Sequence, residues 1–298
     1  MLILQLFFDG ISIGSLYALI ALAMVIIYKA SEVPNFAQGN MGMISTFAAY
    51  YLMEKHGFNF PLSVVGALIF SVLIAIFFEF VFLRRAKEPN ILNLILITIG
   101  FDQILYGVAG WKFGAEQKLY PSSFDPLPLQ RDAVFNVGGV ALGHVGIIVI
   151  VVSSVLIISL FLFFKYTNLG IAMKATQQNQ LAARINGIRT NRIMSVTWAL
   201  SSMVGAIAAM LLVPGTATGV DANLMMAPLL KGFAAAVLGG MTSLIGSIGG
   251  GIILGIIEKF FGFYVSSEFE VVVSFAIIIL ILWFRPSGLF GKHFVRKV

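Results

Sequence analysis

Residues 179–193 read NQLAARINGIRTNRI, a polar and basic stretch between two apolar runs at 144–164 and 193–213. A helix needs about 20 mostly apolar residues to cross a hydrocarbon core of about 30 Å. Both flanking runs meet that length, so the stretch reads as a loop between membrane spans. The rest of the chain agrees. Of 298 residues, 59% are hydrophobic and 11% are charged, and mean hydropathy is +0.98, whereas a soluble domain carries about a quarter charged residues. No polar segment reaches the roughly 50 residues of a small soluble domain. A single all-α transmembrane domain over 1–298 is expected.

Working outward, the same length criterion marks further spans at roughly 5–28, 61–83, 91–110 and 268–284. Residues 36–53, FAQGNMGMISTFAAYYLM, are less apolar and Gly-rich at the start, which suits a span with irregular first turns packed against protein. The stretch 224–264 is too long for one helix and is cut by GGMTSLIG at 239–246, giving two short spans or a re-entrant pair. The amino-terminal MLILQLFFDG has no basic region before its apolar run, so this segment reads as a retained first span, not a signal peptide.

Loop charge sets orientation, because Lys and Arg are retained on the cytoplasmic side. They cluster in RRAKEP at 84–89, in GKHFVRKV at 291–298, and in 165–192, where Lys165, Lys174, Arg184, Arg189 and Arg192 stand without an acid. Residues 112–142 mix both signs with three prolines and are expected outside; 165–192 is expected inside. Parity then requires 224–264 to return to its starting side, for about eight or nine spans with the N-terminus outside. The net charge of +6 is explained by these short loops and does not argue for nucleic-acid binding.

Several chemistries are excluded. Cys is absent, so there is no disulfide, thiolate metal site or thiol nucleophile. His56, His144 and His293 lie far apart without metal-ligand spacing, GxxxxGK[ST] does not occur, and no GxSxG stands on a strand-to-helix elbow, since GISIG at 10–14 lies inside the first apolar run. No metal, cofactor or catalytic group is expected. Gly246/Gly250 and Gly251/Gly255 have the small-xxx-small spacing that lets helices approach in lipid, and Gly10/Gly14 repeat it; lining a pathway is the alternative to packing. Asp9, Glu79, Asp102, Lys231 and Glu258 are the ionisable residues within or near spans. They read either as part of an ion-coupled pathway or as buried hydrogen-bonded structural groups.

Read as a helix at about 100° per residue, 180–189 places Leu181, Ile185 and Ile188 on one stripe and Ala183 with Gly187 nearly opposite. Arg184 flanks the apolar stripe, and Gln177 to Gln180 supply capping groups. An interfacial amphipathic helix is one reading. A helix clamped between its own spans and a second protein is the other, and it alone uses a close-approach Ala/Gly face.

LAARING at 181–187 resembles the EAAxxxG signature of ATP-binding-cassette importer permeases. More specifically, DGISIGSLYALIALAMVIIYKASEVPNFAQGNMGMIS at 9–45, GFAAAVLGGMTSLIGSIGGGIILGIIE at 232–258 and VVSFAIIILILWFRPSGLFG at 272–291 resemble LivH-type permeases for branched-chain amino acids. The resemblance implies the importer permease fold in the bacterial inner membrane, with transport by alternating access and no enzymatic activity of its own. It also implies a LivM-like second permease subunit or a homodimer, two cytoplasmic ATPases and a periplasmic substrate-binding protein. The ATPase-coupling element would comprise Leu181, Ala182, Ala183, Arg184, Ile185, Gly187 and Ile188. Asn35, Gln38, Gly39 and Asn40 are candidates for the substrate pathway. Two positions depart from the family pattern: Leu181 stands where the signature has Glu, and Asn40 replaces the usual acid of NFAxGE. An ion-coupled secondary transporter, or the same importer class acting on urea or an amide, stays open as the alternative.

Overall fold

The computed structural model describes residues 2–86, 90–114, 116–118, 134–137, 140–215 and 219–291. Helix α1 (Leu2–Ser31) forms the axis of the bundle. It is apolar all round, the pattern of a helix without a solvent face, and nearly every residue from Ser15 to Ile27 is buried. Of α2 (Gln38–His56), α3 (Phe60–Phe78), α4 (Ile91–Phe113) and α5 (His144–Tyr166), α5 packs against α1, while α3 and α4 pack against α2. A short hairpin of β1 (Val134–Val137) and β2 (Val140–Gly143) precedes α5. Two short helices, α6 (Asn168–Gln178) and α7 (Gln180–Ile185), lead into α8 (Thr190–Gly215). The chain closes with α9 (Met226–Gly239), α10 (Leu244–Tyr264) and α11 (Glu270–Phe284).

Among the described residues, six helices are long and apolar enough to span a membrane: α1, α3 with its continuation, α4, α5, α8 and α10. Helix α2 has 19 residues but is less apolar. Helices α9 and α11 have 14 and 15 residues, which at 1.5 Å per residue cover only about two thirds of the hydrocarbon core. The ambiguous 224–264 stretch is therefore one partial helix followed by one full-length helix. Gly239 and Gly246 abut, so the pair folds back on itself.

Two of the basic clusters, at 84–85 and within 165–192, share one end of the bundle. Helix α3 runs on as a π-helical turn (Glu79–Leu83), and Arg84 then bonds to the Asn191 carbonyl at 3.2 Å and the Ser195 hydroxyl at 2.9 Å, at the start of α8. Glu79, almost fully buried, receives Arg84 on both oxygens and the Ser195 hydroxyl at 2.7 Å. At the opposite end Lys118 and Val220 exchange backbone hydrogen bonds, joining the segments that follow α4 and α8. Most of the expected outer loop, Lys87, and the tail beyond Gly291 with His293 lie outside the described residues.

The glycine spacing resolves into two contacts. Gly251 and Gly255 of α10 face α1: a methyl group on Gly14 would lie 2.9 Å from the Gly251 carbonyl oxygen, and one on Gly255 would collide with the Gly14 backbone. Gly246 and Gly250 face α9, where a methyl group would meet the carbonyls of Gly239 and Ala235. In lipid, where helices gain no hydrophobic advantage by associating, such backbone approach supplies the dispersion contact that holds them. Between α3 and α8 a direct hydrogen bond assists, with the Ser71 and Ser202 hydroxyls 2.7 Å apart.

Candidate functional site

The connection from α1 to α2, residues 32–37, turns back into the bundle without regular structure. Irregular backbone at membrane depth persists only where protein groups satisfy it. Here Asn35 Oδ1 accepts from the Ala37 N–H at 3.0 Å, and Thr98 Oγ1 accepts from the Phe36 N–H at 3.4 Å. The Asn35 amide donates to Gln38 Oε1 at 3.1 Å, and the Gln38 amide donates to the Ser201 carbonyl at 3.2 Å. The Ser201 hydroxyl lies 2.7 Å from the Ala23 carbonyl, fastening α8 to α1 at the same level.

Asn35 and Gln38 are therefore fully enclosed and committed to their own chain. Gly39 is also buried, beneath Leu229 and Met225. Of the four expected pathway residues only Asn40 reaches a partly open face, where its amide donates to the Asp102 carbonyl at 3.2 Å. The sequence showed polarity but not direction. These amides stand one turn apart or less, and only the fold tells which of them point inward.

Asn40 opens onto residues that the motif did not mark. Gln103 donates to Asp102 Oδ2 at 3.1 Å, and the Tyr106 hydroxyl lies 3.5 Å from Asn223 Oδ1. Gln103 and Tyr106 are exposed, and Asp102 is partly so. They sit midway along α4, where exposure to hydrocarbon would be costly. Beside them the partial helix α9 begins, with Phe36 and Phe233 ring centroids 5.9 Å apart.

At the basic end, α7 is shorter than the periodicity suggested. Asn179 caps it, accepting from the Ala182 N–H at 2.9 Å, and it stops at Ile185. Gly187 takes a left-handed conformation, φ +82°. The Ile188 N–H bonds the Ala183 carbonyl and the Gly187 N–H bonds the Arg184 carbonyl, both at 3.0 Å. This is a Schellman ending, which needs a residue free of Cβ strain at the reversal. The signature glycine is thus a helix terminator, not part of a close-approach face.

The two expected stripes change accordingly. Ala183 is buried and alone forms the inner face. Leu181 at 69% and Ile185 at 79% exposure project outward, whereas Ile188, beyond the reversal, packs partly against the core. Ala182 is exposed, its carbonyl taken by the Asn186 side chain at 2.8 Å. Arg184 Nε donates to Thr190 Oγ1 at 2.8 Å, tying α7 to α8. Between these helices lies an open cleft lined by Arg84, Arg184, Arg189 and Arg192 with the intervening backbone.

Asp9, near the start of α1, accepts from the Gln5 amide at 3.3 Å, whereas Lys231, Glu258 and Glu270 pair across helices. Lys231 on α9 lies 2.5 Å from Glu258 on α10 and 3.8 Å from Glu270 on α11. The Tyr17 hydroxyl of α1 donates to Glu258 Oε1 at 2.9 Å. Four helices therefore meet in one ionic cluster. Among the described residues no group of three or more His, Cys, Asp or Glu is placed to hold a metal.

Comparison with known proteins bears on this geometry. The family described as branched-chain amino acid transport system / permease component matches residues 6–282. The high-affinity branched-chain amino acid transport system permease protein BraD of Pseudomonas aeruginosa is 30% identical, the alignment covering 99% of this chain and 98% of that relative. LivH of Escherichia coli is 29% identical over 99% and 97% of the two chains. A probable LivH of Methanocaldococcus jannaschii is 27% identical over 93% and 89%. Among solved structures, PsaBC from Streptococcus pneumoniae in complex with Fab has a similar fold, with TM-score 0.50 at 17% identity, covering 94% of this chain and 91% of that one.

Proposed function

Since the chain belongs to the family of branched-chain amino acid transport system permease components, we propose that it is one membrane subunit of an ATP-driven importer for branched-chain or closely related amino acids. Its partners are a second permease subunit, LivM-like or a copy of itself, two cytoplasmic ATPases and a periplasmic binding protein. It resides in the bacterial inner membrane with α6 and α7 in the cytoplasm. The observation that carries this reading is the pairing of two features on one bundle. One is a capped helix with exposed Leu181 and Ile185 at the basic end; the other is a half-open polar face at mid-depth around Asn40 and Asp102.

The polar face forms one wall of the path, and the facing permease subunit supplies the other. Helix α7 receives the movement of the ATPases. It passes that movement to α8 through the Arg184–Thr190 bond and to the start of α2 through Ser201 and Gln38. A stiff element with two docked arrangements is the physical requirement for such coupling, and alternating access follows when the bundles reorient around the path.

Reconstitution tests the reading. The chain, its second permease subunit, the cognate ATPases and the cognate binding protein are placed in proteoliposomes, and uptake of labelled leucine, isoleucine and valine is followed. Uptake should require ATP and all the partners. Ion-driven uptake by this chain alone would overturn the proposal.

A further inference from the structure

We propose that the arginine cleft between α7 and α8 receives an acidic side chain of the ATPase subunit, so that coupling in this chain rests on a carboxylate supplied by the partner. The inference builds on the permease reading above and specifies the chemistry of its docking contact. Residues 165–192 carry five basic side chains and no acid. The loop therefore has no carboxylate of its own to offer.

The cleft shows where the opposite charge belongs. Among the described residues the one acid bonded to its arginines is Glu79, which is consumed by Arg84. Arg184 spends its Nε on Thr190. Arg189 and Arg192 are exposed and make no side-chain hydrogen bond or ion pair among the described residues. Three guanidinium groups without a counter-charge converge on one cleft, and their planar forks match the two oxygens of a carboxylate.

A lipid phosphate is the other anion that could enter. The surroundings favour a protein. Arg184 lies on α7 itself, beside the outward-facing Leu181 and Ile185. Arg is among the side chains that dominate protein docking hot spots. A membrane-lying helix instead needs an extended apolar face, and α7 has six residues, flanked by Asn179 and Asn186.

The test uses the assembled permease pair in zwitterionic phosphatidylcholine nanodiscs, with ATPase binding measured between about 0.1 M and about 1 M salt, over which the Debye length shrinks from about 10 Å to about 3 Å. Wild-type binding should weaken about tenfold or more across this range. Arg189→Gln with Arg192→Gln should lose about as much at low salt and become nearly salt-insensitive. Arg189→Glu with Arg192→Glu should be rescued by an Asp→Lys or Glu→Lys change on the ATPase surface that cross-links to α7. Wild-type binding and salt dependence in the Gln variant would overturn the inference while leaving the permease reading intact. A loss seen only when phosphatidylglycerol is added would assign the cleft to lipid. Failure of the wild type to bind the ATPase at any salt would overturn both.

Discussion

Lys231 and Glu258 stand 27 residues apart on different helices, yet their charged atoms meet at 2.5 Å, with Glu258 fully buried and Lys231 nearly so. Tyr17 adds a hydrogen bond from α1 and Glu270 a second carboxylate from α11. A buried pair is weak evidence of net stabilisation, because desolvation offsets the attraction, but breaking one side leaves an uncompensated charge. The cluster thus penalises any arrangement of α9 that separates it from α10.

Lys231→Met should destabilise the detergent-solubilised protein by roughly 3–5 kcal/mol, the usual cost of removing one partner of a buried pair. Lys231→Met combined with Glu258→Gln should recover much of that loss. Thermal unfolding of the three variants checks the coupling, and additive losses would show that the pair does not act as a unit.

Gly251→Val should abolish folding, since its side chain would have to enter the backbone of α1 at Ala18. Gly107→Ala, on α4, meets nothing within 4 Å and should leave the isolated subunit's melting temperature within a few degrees of wild type, gaining at most ~1 kcal/mol in helix propensity. Yield and melting temperature in detergent distinguish the two.

Gly187 and Leu181 lie in one loop but should fail differently. Gly187→Val forces a branched side chain into a left-handed conformation and should cost about 1–2 kcal/mol, lowering thermal stability, while Gly187→Asn is tolerated. Leu181→Glu with Ile185→Glu leaves the α7 backbone unstrained, so the melting temperature should hold while ATPase co-purification falls about tenfold or more.

Asn40→Leu removes the donor to the Asp102 carbonyl at the half-open face. Uptake by the full transporter should fall about tenfold, equivalent to ~1.4 kcal/mol, with ATPase binding unchanged. Gln38→Leu should instead impair folding, because its amide holds α2 to α8.

Much of the architecture was legible in the sequence because it follows from local sums. Span length, loop charge and the Gly246/Gly250 and Gly251/Gly255 spacing each depend on a few neighbouring residues. The least legible parts depended on direction. Periodicity treated 180–189 as one helix, but backbone bonding at Gly187 ends it at Ile185 and turns Ile188 inward. Asn35, Gln38 and Asn40 look alike in sequence, yet two of them support an irregular connection and one faces outward.

The sequence by itself determined that this is an all-helical membrane chain, because hydropathy acts residue by residue on a bilayer. It also supplied the signature that places the chain near importer permeases. Only the tertiary structure decided that Lys231 finds Glu258, that Gly251 faces α1 while Gly250 faces α9, and that four arginines from α7, the turn after it, the start of α8 and the segment following α3 share one cleft. Those outcomes depend on how helices distant in sequence rotate and cross, and in lipid that is settled by backbone approach and buried polar pairing, neither of which a one-dimensional pattern carries.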